Sequence, residues 1–189
     1  MNFKVQKLQN TFTDSEDYYP KFLTFDEIDA IIDSAKKSTH DRTFRDIAIL
    51  ELLRGTGCRR DTVLNLQWNN INFRQNELTL YHKKTKNKTV VKMNSRLINA
   101  LTLLYNTSLN KTGNVFISQK GNPLSKDAYT KMIKKYSVDS GLQGIKDFTI
   151  TGHTFRHSFI THLVKNGVSL YKVIKYIPKN QNLKSFMIV

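Results

Sequence analysis

Apolar residues recur at helical spacing along most of this sequence, and the spacing changes to alternation between residues 78 and 93. Thr24 and Glu27 can form a capping box, in which a hydroxyl and a carboxylate bind the free amides at a helix start. Further helices are predicted at residues 44–53, 60–66, 95–105, 125–136, 153–165 and 169–177. The chain is therefore expected to be a mostly helical α+β protein with a small antiparallel sheet.

The alternating segment predicts a lysine-rich hairpin. Two strands are predicted at residues 78–82 and 89–93, and residues 115–118 are a further short candidate. Four lysines lie at or beside the turn, and their ammonium groups repel one another unless a counter-charge is near. They suit a phosphate backbone, although such charges also protect a sheet edge from pairing. The four are Lys83, Lys84, Lys86 and Lys88.

The charge of the chain points to a polyanionic partner. Among its 189 residues, 30 Lys and Arg stand against 15 Asp and Glu, which gives a formal net charge of +15. Nucleic acid is the expected partner, because a basic membrane protein would need an anchor or a spanning segment and none is evident. The single cysteine excludes an internal disulfide framework and favours a reducing interior, so we expect a cytoplasmic protein.

The first candidate site is the stretch GTGCRRDTVLNLQW, residues 55–68. A glycine-flanked loop that leads into a helix can hold an anion, because its amides are free and the helix dipole is positive there. Arg59 and Arg60 lie at this entrance. The pair could also be a solvated doublet after a helix cap.

The second candidate site is HTFRHSF, residues 153–159. On a helix His153, Arg156 and His157 share one face. We expect no metal, since no carboxylate or thiolate is adjacent and the arginine would oppose a cation. Either the histidines belong to the core beside an apolar stripe, or Arg156 forks onto two phosphate oxygens while His153 donates a hydrogen bond or a proton.

Taken together, these segments resemble the catalytic domain of the tyrosine recombinases, the phage integrase family. The resemblance is carried, in order, by KFLTFDEIDAII, TGCRRDTVLNLQW, YHKKTKNKTVV and HTFRHSFITHLVKNGVSL. It implies an integrase-like fold over residues 21–189. Residues 1–20 would then be a linker, the tail of a missing N-terminal DNA-binding domain.

The resemblance implies site-specific DNA recombination or integration, with strand cleavage and rejoining through a 3′-phosphotyrosyl intermediate and without metal, nucleotide or other cofactor. Arg59 and Arg156 match the two family arginines, and His153 matches the histidine of the HxxR motif. Lys84 best matches the hairpin lysine that protonates the leaving 5′ oxygen, with Lys83 and Lys86 as register alternatives. The predicted DNA-binding residues are Arg60, Lys83, Lys86, Lys88 and His157.

The sequence departs from the family pattern in three places. Thr62 stands where the family commonly has an acidic residue, and the pair 178–179 is Pro-Lys instead of the usual leucine and glycine. The nucleophilic tyrosine should follow about a dozen residues later, yet no tyrosine follows Tyr176. Because Tyr171 and Tyr176 lie in the preceding predicted helix, we expect a catalytic domain that is incomplete at its C-terminus and inactive alone.

Two other functions stay open. A noncatalytic DNA-binding remnant could occupy or regulate recombination sites, with or without other integrase subunits on the DNA. A basic RNA-binding module is more distant, since the interleaved aromatic and glycine pattern of such proteins is missing. In either integrase case the source would be bacterial, phage-encoded or a mobile element, and the protein would be associated with the nucleoid.

Overall fold

A computed structural model describes residues 21–82, 87–169 and 171–173. In this part of the chain the helices are α1 (Phe25–Lys36), α2 (Thr43–Thr56), α3 (Arg60–Leu64), α4 (Ser95–Thr107), α5 (Lys126–Asp139), α6 (Leu142–Ile145) and α7 (Gly152–Lys165). A 3₁₀ helix spans Trp68–Asn70, and the strands are β1 (Ile71–Asn72), β2 (Glu77–His82) and β3 (Asn87–Lys92). None of the described helices is long and apolar enough to cross a membrane.

Helix α1 begins where the capping box predicts. The Thr24 hydroxyl accepts a hydrogen bond from the Glu27 amide at 3.2 Å, and the Glu27 carboxylate accepts one from the Thr24 amide at 2.9 Å. Ile28, Ile31 and Ile32 are buried on one face. The predicted helix start is confirmed.

Helix α2 is the central helix, because it packs against α1, α4 and α7. Its buried polar side chains have ion-pair or hydrogen-bond partners. Glu51 is buried and binds the Arg96 guanidinium through both carboxylate oxygens, and Arg96 also contacts Asp29 at 2.8 Å. Asp29 receives a second, forked contact from Arg54. This network connects α1, α2 and α4, and the arginines lower the pKa of the Asp29 carboxyl against the opposing effect of its burial.

The sheet is antiparallel with the order β1-β2-β3. Strand β2 pairs with β3 from Glu77 opposite Lys92 to His82 opposite Asn87, so the predicted hairpin is present. The turn, residues 83–86, lies outside the described residues. Lys88 is exposed in β3.

Some local predictions were wrong. Residues 115–118 form only an isolated bridge between Ile117 and Pro123 instead of a strand, because Val115 and Phe116 are buried by core packing rather than by a sheet. Strand β1 was not predicted, and α2 ends at Thr56 instead of at residue 53. A two-residue strand is too short to produce an alternation signal.

The segment that precedes α1 is bound to α7. The buried Leu23 donates its backbone N–H to the Ser158 hydroxyl at 2.8 Å, and Ser158 in turn donates to the Thr154 carbonyl at 2.7 Å. The Leu23 carbonyl accepts from His162 Nε2 at 3.0 Å, and the His162 ring stacks on Phe25 with centroids 3.8 Å apart. Both backbone polar groups of Leu23 are thus satisfied by α7 side chains.

Ser158→Ala should destabilise the protein, because it leaves the Leu23 N–H buried without its acceptor. The expected loss is about 1–3 kcal/mol in the free energy of urea-induced unfolding. Ser137→Ala is the matched control, since Ser137 is also buried and donates to the carbonyl four residues earlier. Equal losses in the two variants would contradict the importance of the Leu23 contact.

Candidate DNA-phosphate site

A tight turn at the end of α2 forms the loop that carries the first arginine pair, and we call residues 57–60 the arginine loop. Gly57 caps α2 in the left-handed conformation, with φ 55° and ψ 24°, and its N–H donates to the Leu53 carbonyl at 2.9 Å. Arg59 is half-buried beyond this turn, and Arg60 is exposed at the first position of α3. The two arginines therefore lie between the turn that ends α2 and the start of α3.

Helix α7 carries the second motif, and its first turn is capped by a reciprocal pair. Thr151 and Thr154 exchange hydrogen bonds between hydroxyl and amide. His153 is exposed in the first turn and His157 is half-buried one turn later. Arg156 is only 4% exposed. The predicted shared face of a helix is thus present for the three side chains.

The two motifs meet at one hydrogen bond. The Arg156 Nη1 donates to the Gly57 carbonyl at 2.7 Å, across 99 residues of sequence. The contact is close, because a Cβ on Gly57 would lie 2.8 Å from the Cβ of Phe159. Helix α7 therefore packs directly on the arginine loop, and glycine is required at position 57 both for its backbone conformation and for this approach.

The positive charges of the site act on both histidines. Although His153 is exposed overall, the partial burial of its ring lowers its pKa, and the charges of Arg156, Arg59 and Arg60 lower it further. The pKa of His157 is lowered by burial first and then by His153 and Arg156. Partial burial also lowers the pKa of Arg59, but a guanidinium remains charged in proteins. The site thus combines fixed cations with imidazoles that are neutral at neutral pH.

The hairpin is attached to the same region. Thr62, buried in α3, donates a hydrogen bond from its hydroxyl to the Tyr81 carbonyl in β2 at 3.4 Å. Tyr81 lies at the end of the hairpin where the turn begins. Lys84, together with Lys83 and Lys86, falls outside the described residues, so its role stays a prediction.

Two features of the arginine loop were not recognised from the sequence. The sequence does not indicate that the Gly57 carbonyl accepts from Arg156, and the position of Gly57 directly before the Cys58-Arg59 pair is the available signal. Burial raises the pKa of the Cys58 thiol to about 11. Cys58 is consequently a neutral core residue rather than a nucleophile.

Other kinds of site receive no support from the described residues. No group of three or more His, Cys, Asp or Glu side chains among them could hold a metal ion. Two clefts of about 620 and 400 Å³ lie between other elements, around His40 and Lys135. Neither is lined by the arginine loop or by α7.

Comparison with known proteins identifies the family of this chain. Residues 21–178 match the phage integrase family. The chain belongs to this family. The tyrosine recombinase XerD of Staphylococcus aureus is 33% identical over 160 residues, which cover 82% of the chain and 52% of that protein. XerD of Staphylococcus epidermidis is 31% identical with the same coverage. The chain spans about half the length of these curated relatives.

Solved structures of tyrosine recombinases share the fold. The XerA recombinase superimposes with a TM-score of 0.76 at 20% identity, over 93% of this chain and 61% of that one. The XerH recombinase bound to its difH substrate gives a TM-score of 0.74 at 19% identity, over 88% and 49%. A lambda integrase dimer bound to a core site gives 0.65 at 17% identity, over 90% and 62%. The integrase-like fold predicted from the sequence is confirmed.

Gly57→Ala should destabilise the protein more than an alanine at a comparable glycine. Left-handed backbone costs an alanine about 1–2 kcal/mol, and the overlap with Phe159 adds about 1–3 kcal/mol. Gly141→Ala is the control, because Gly141 also has a positive φ, of 80°, but has open space around its Cα. Urea unfolding measures both, and a loss no larger than that of Gly141→Ala would contradict the close packing of α7 on the loop.

His153 should titrate below its usual pKa of 6.5, because burial and three nearby guanidinium charges disfavour the imidazolium. Below pH 6.5 the His153 imidazole therefore binds a proton more readily in the unfolded chain than in the folded one. The free energy of unfolding should fall as the pH drops from 6.5 towards the lower pKa of the folded state. NMR titration should show the midpoint rising in Arg59→Ala and unchanged in Arg74→Ala, an exposed arginine in the β1–β2 turn. An unchanged midpoint in Arg59→Ala would place Arg59 away from His153.

Proposed function

We propose that this chain is the DNA-cleaving domain of a site-specific recombinase and that its arginine loop and α7 bind one DNA phosphate between them. The observation that carries the proposal is the Arg156 hydrogen bond to Gly57, since it holds the HxxR helix against the loop of the other family arginine. Membership of the phage integrase family supplies the reaction class.

Each site residue has a role in the proposed reaction. A tyrosine hydroxyl gives its proton to water as its oxygen attacks the phosphodiester, so a 3′-phosphotyrosyl link forms as the P–O5′ bond breaks and the 5′ oxygen leaves. Arg59 and Arg156 neutralise the equatorial oxygens of the transition state, which concentrates negative charge there. His153, largely neutral at neutral pH, donates a hydrogen bond, and Lys84 protonates the leaving oxygen. No cofactor is required by these steps.

Double-stranded DNA is the proposed partner. The net charge of +15 favours a polyanion, and the structural neighbours include XerH bound to difH and a transposon integrase bound to transposon end DNA. Arg60, Lys83, Lys86, Lys88 and His157 would contact flanking phosphates. Other recombinase subunits on the DNA are proposed by analogy with the lambda integrase dimer. Residues 1–20 would connect residues 21–189 to a DNA-binding domain, in a bacterial or phage-encoded protein associated with the nucleoid.

We further propose that residues 1–189 alone bind DNA without cleaving it. No tyrosine follows Tyr176 in this sequence, Tyr176 lies outside the described residues, and Tyr171 is exposed on the residues described after α7. Tyr171 is therefore proposed as a surface residue, and the nucleophile would come from another segment or subunit. The alternative function, a noncatalytic occupant of recombination sites, uses the same binding surface.

Arg59→Ala should weaken binding to a short DNA duplex by about tenfold or more, because it removes a charged hydrogen-bond donor from the site. Arg74→Ala removes the same charge from the exposed β1–β2 turn and should change affinity by no more than about threefold. Fluorescence anisotropy at fixed salt measures both. Equal weakening would mean that binding is diffuse and that the phosphate site does not exist, and preference for RNA in a salt-controlled competition would favour the RNA-binding function.

A nicked duplex tests cleavage in the same preparation. The expected result is no covalent protein–DNA complex on a denaturing gel. A covalent complex that disappears in Tyr171→Phe or Tyr176→Phe would overturn the proposal that the nucleophile comes from elsewhere. If the chain blocks cleavage by an intact relative at the same DNA, the noncatalytic function is favoured.

A further inference from the structure

Tyr129 in α5 has a buried hydroxyl that makes no hydrogen bond within residues 21–82, 87–169 and 171–173. The side chain is only 2% exposed. Most buried polar atoms in proteins are paired, and an unpaired one is costly to the fold. Phenylalanine would fill nearly the same space without that cost. Stability therefore does not explain why residue 129 is tyrosine rather than phenylalanine.

The hydroxyl lies against the start of α7. A Cβ built on Gly152 would overlap with the Tyr129 hydroxyl oxygen and would lie 3.1 Å from Cζ. Gly152 does not have a positive φ, so its backbone does not require glycine. The close approach of Tyr129 is the steric reason for glycine here, because a Cβ would force the buried phenol to shift, and the hydroxyl occupies the place of the missing side chain.

The position of this contact connects it to the proposed phosphate site. Gly152 is the first residue of α7 and directly precedes His153. Tyr129 also lies within electrostatic range of the arginine loop, because Cys58 and Arg60 both affect the pKa of its phenol. Tyr129 thus lies against the turn that carries His153, and Arg60 of the arginine loop is near enough to act on its phenol.

The same surroundings exclude Tyr129 as the cleaving nucleophile. Burial raises the pKa of its phenol far above the usual value, and the opposing effect of Arg60 is smaller. A neutral phenol whose oxygen is covered cannot reach a phosphodiester in line with the leaving group. A structural effect on its neighbours is the remaining role.

We propose that Tyr129 is a positioning residue whose hydroxyl acts as a spacer beneath Gly152, and thereby fixes the first turn of α7 and the location of His153 relative to the arginine loop. The part that concerns phosphate rests on the proposed function. Without the hydroxyl, a void lies under Gly152 and the first turn can relax into it. The chain tolerates the unpaired hydroxyl because it holds His153 in place.

Tyr129→Phe tests the proposal in the complete 189-residue chain. Thermal stability should be unchanged or higher, because no hydrogen bond is lost. The NMR signals of the His153 ring should shift in the absence of any ligand. Affinity for inorganic phosphate, followed by the same signals, should fall about 3- to 10-fold, the equivalent of weakening one hydrogen bond.

Tyr136→Phe is the matched control. Tyr136 lies on the same helix and is only 1% exposed, but its hydroxyl donates to Asp46 at 3.0 Å. This variant should lose stability and keep the His153 signals and the phosphate affinity of the original protein. A Tyr129→Phe variant that behaves in the same way as Tyr136→Phe would overturn the proposal.

A double variant distinguishes loss of the spacer from general destabilisation of the fold. Gly152→Ala alone should destabilise the protein and shift His153, because the new methyl group overlaps with the hydroxyl. In Tyr129→Phe/Gly152→Ala the methyl group replaces the hydroxyl as the spacer, so the His153 signals and phosphate affinity should return to within about threefold of the original. Failure of the double variant to restore the His153 signals would contradict the spacer role.

Phosphate binding at His153 and the positioning role of Tyr129 are tested by separate measurements. If phosphate does not perturb His153 in the unaltered protein, the proposed function is wrong at this site. The ligand-free His153 signals in Tyr129→Phe still decide the positioning role, and unchanged signals there would overturn it.

Discussion

The hydrogen bond from Arg156 to the Gly57 carbonyl is the contact on which the candidate site depends. It joins a helix near the end of the described chain to a loop 99 residues earlier. A buried guanidinium needs acceptors, and a backbone carbonyl supplies one without adding a negative charge. The site therefore keeps its positive potential while Arg156 stays fixed. An acidic partner in the same place would have neutralised the charge that a phosphate is expected to meet.

Polar contacts hold helix α7 at several places along its length. Its first turn is capped by Thr151, its middle contacts the Gly57 carbonyl, and its second half binds the backbone of Leu23 through Ser158 and His162. Such contacts are directional, whereas apolar packing alone permits sliding and rotation of a helix. These hydrogen bonds fix the orientation of the α7 face that carries His153 and Arg156. Burial of Phe155 and Ile160 alone would allow a wider range of orientations.

The sequence predicted the features that depend on near neighbours. The Thr24 capping box, the lysine hairpin and the shared face of His153 and Arg156 each follow from spacings of a few residues. The Gly57 carbonyl as acceptor and the Tyr129–Gly152 contact could not be predicted, because each joins segments that are distant in the chain and nothing local marks the partner. The misassigned strand at residues 115–118 has the same origin, since burial in a loop and burial in a sheet produce the same apolar run.

The attachment of Leu23 also has a mechanical consequence. Leu23 N–H binds the Ser158 hydroxyl, which is hydrogen-bonded to the carbonyl of Thr154, the residue after His153. Traction on the backbone at Leu23 is therefore transmitted through two hydrogen bonds to the α7 backbone beside His153.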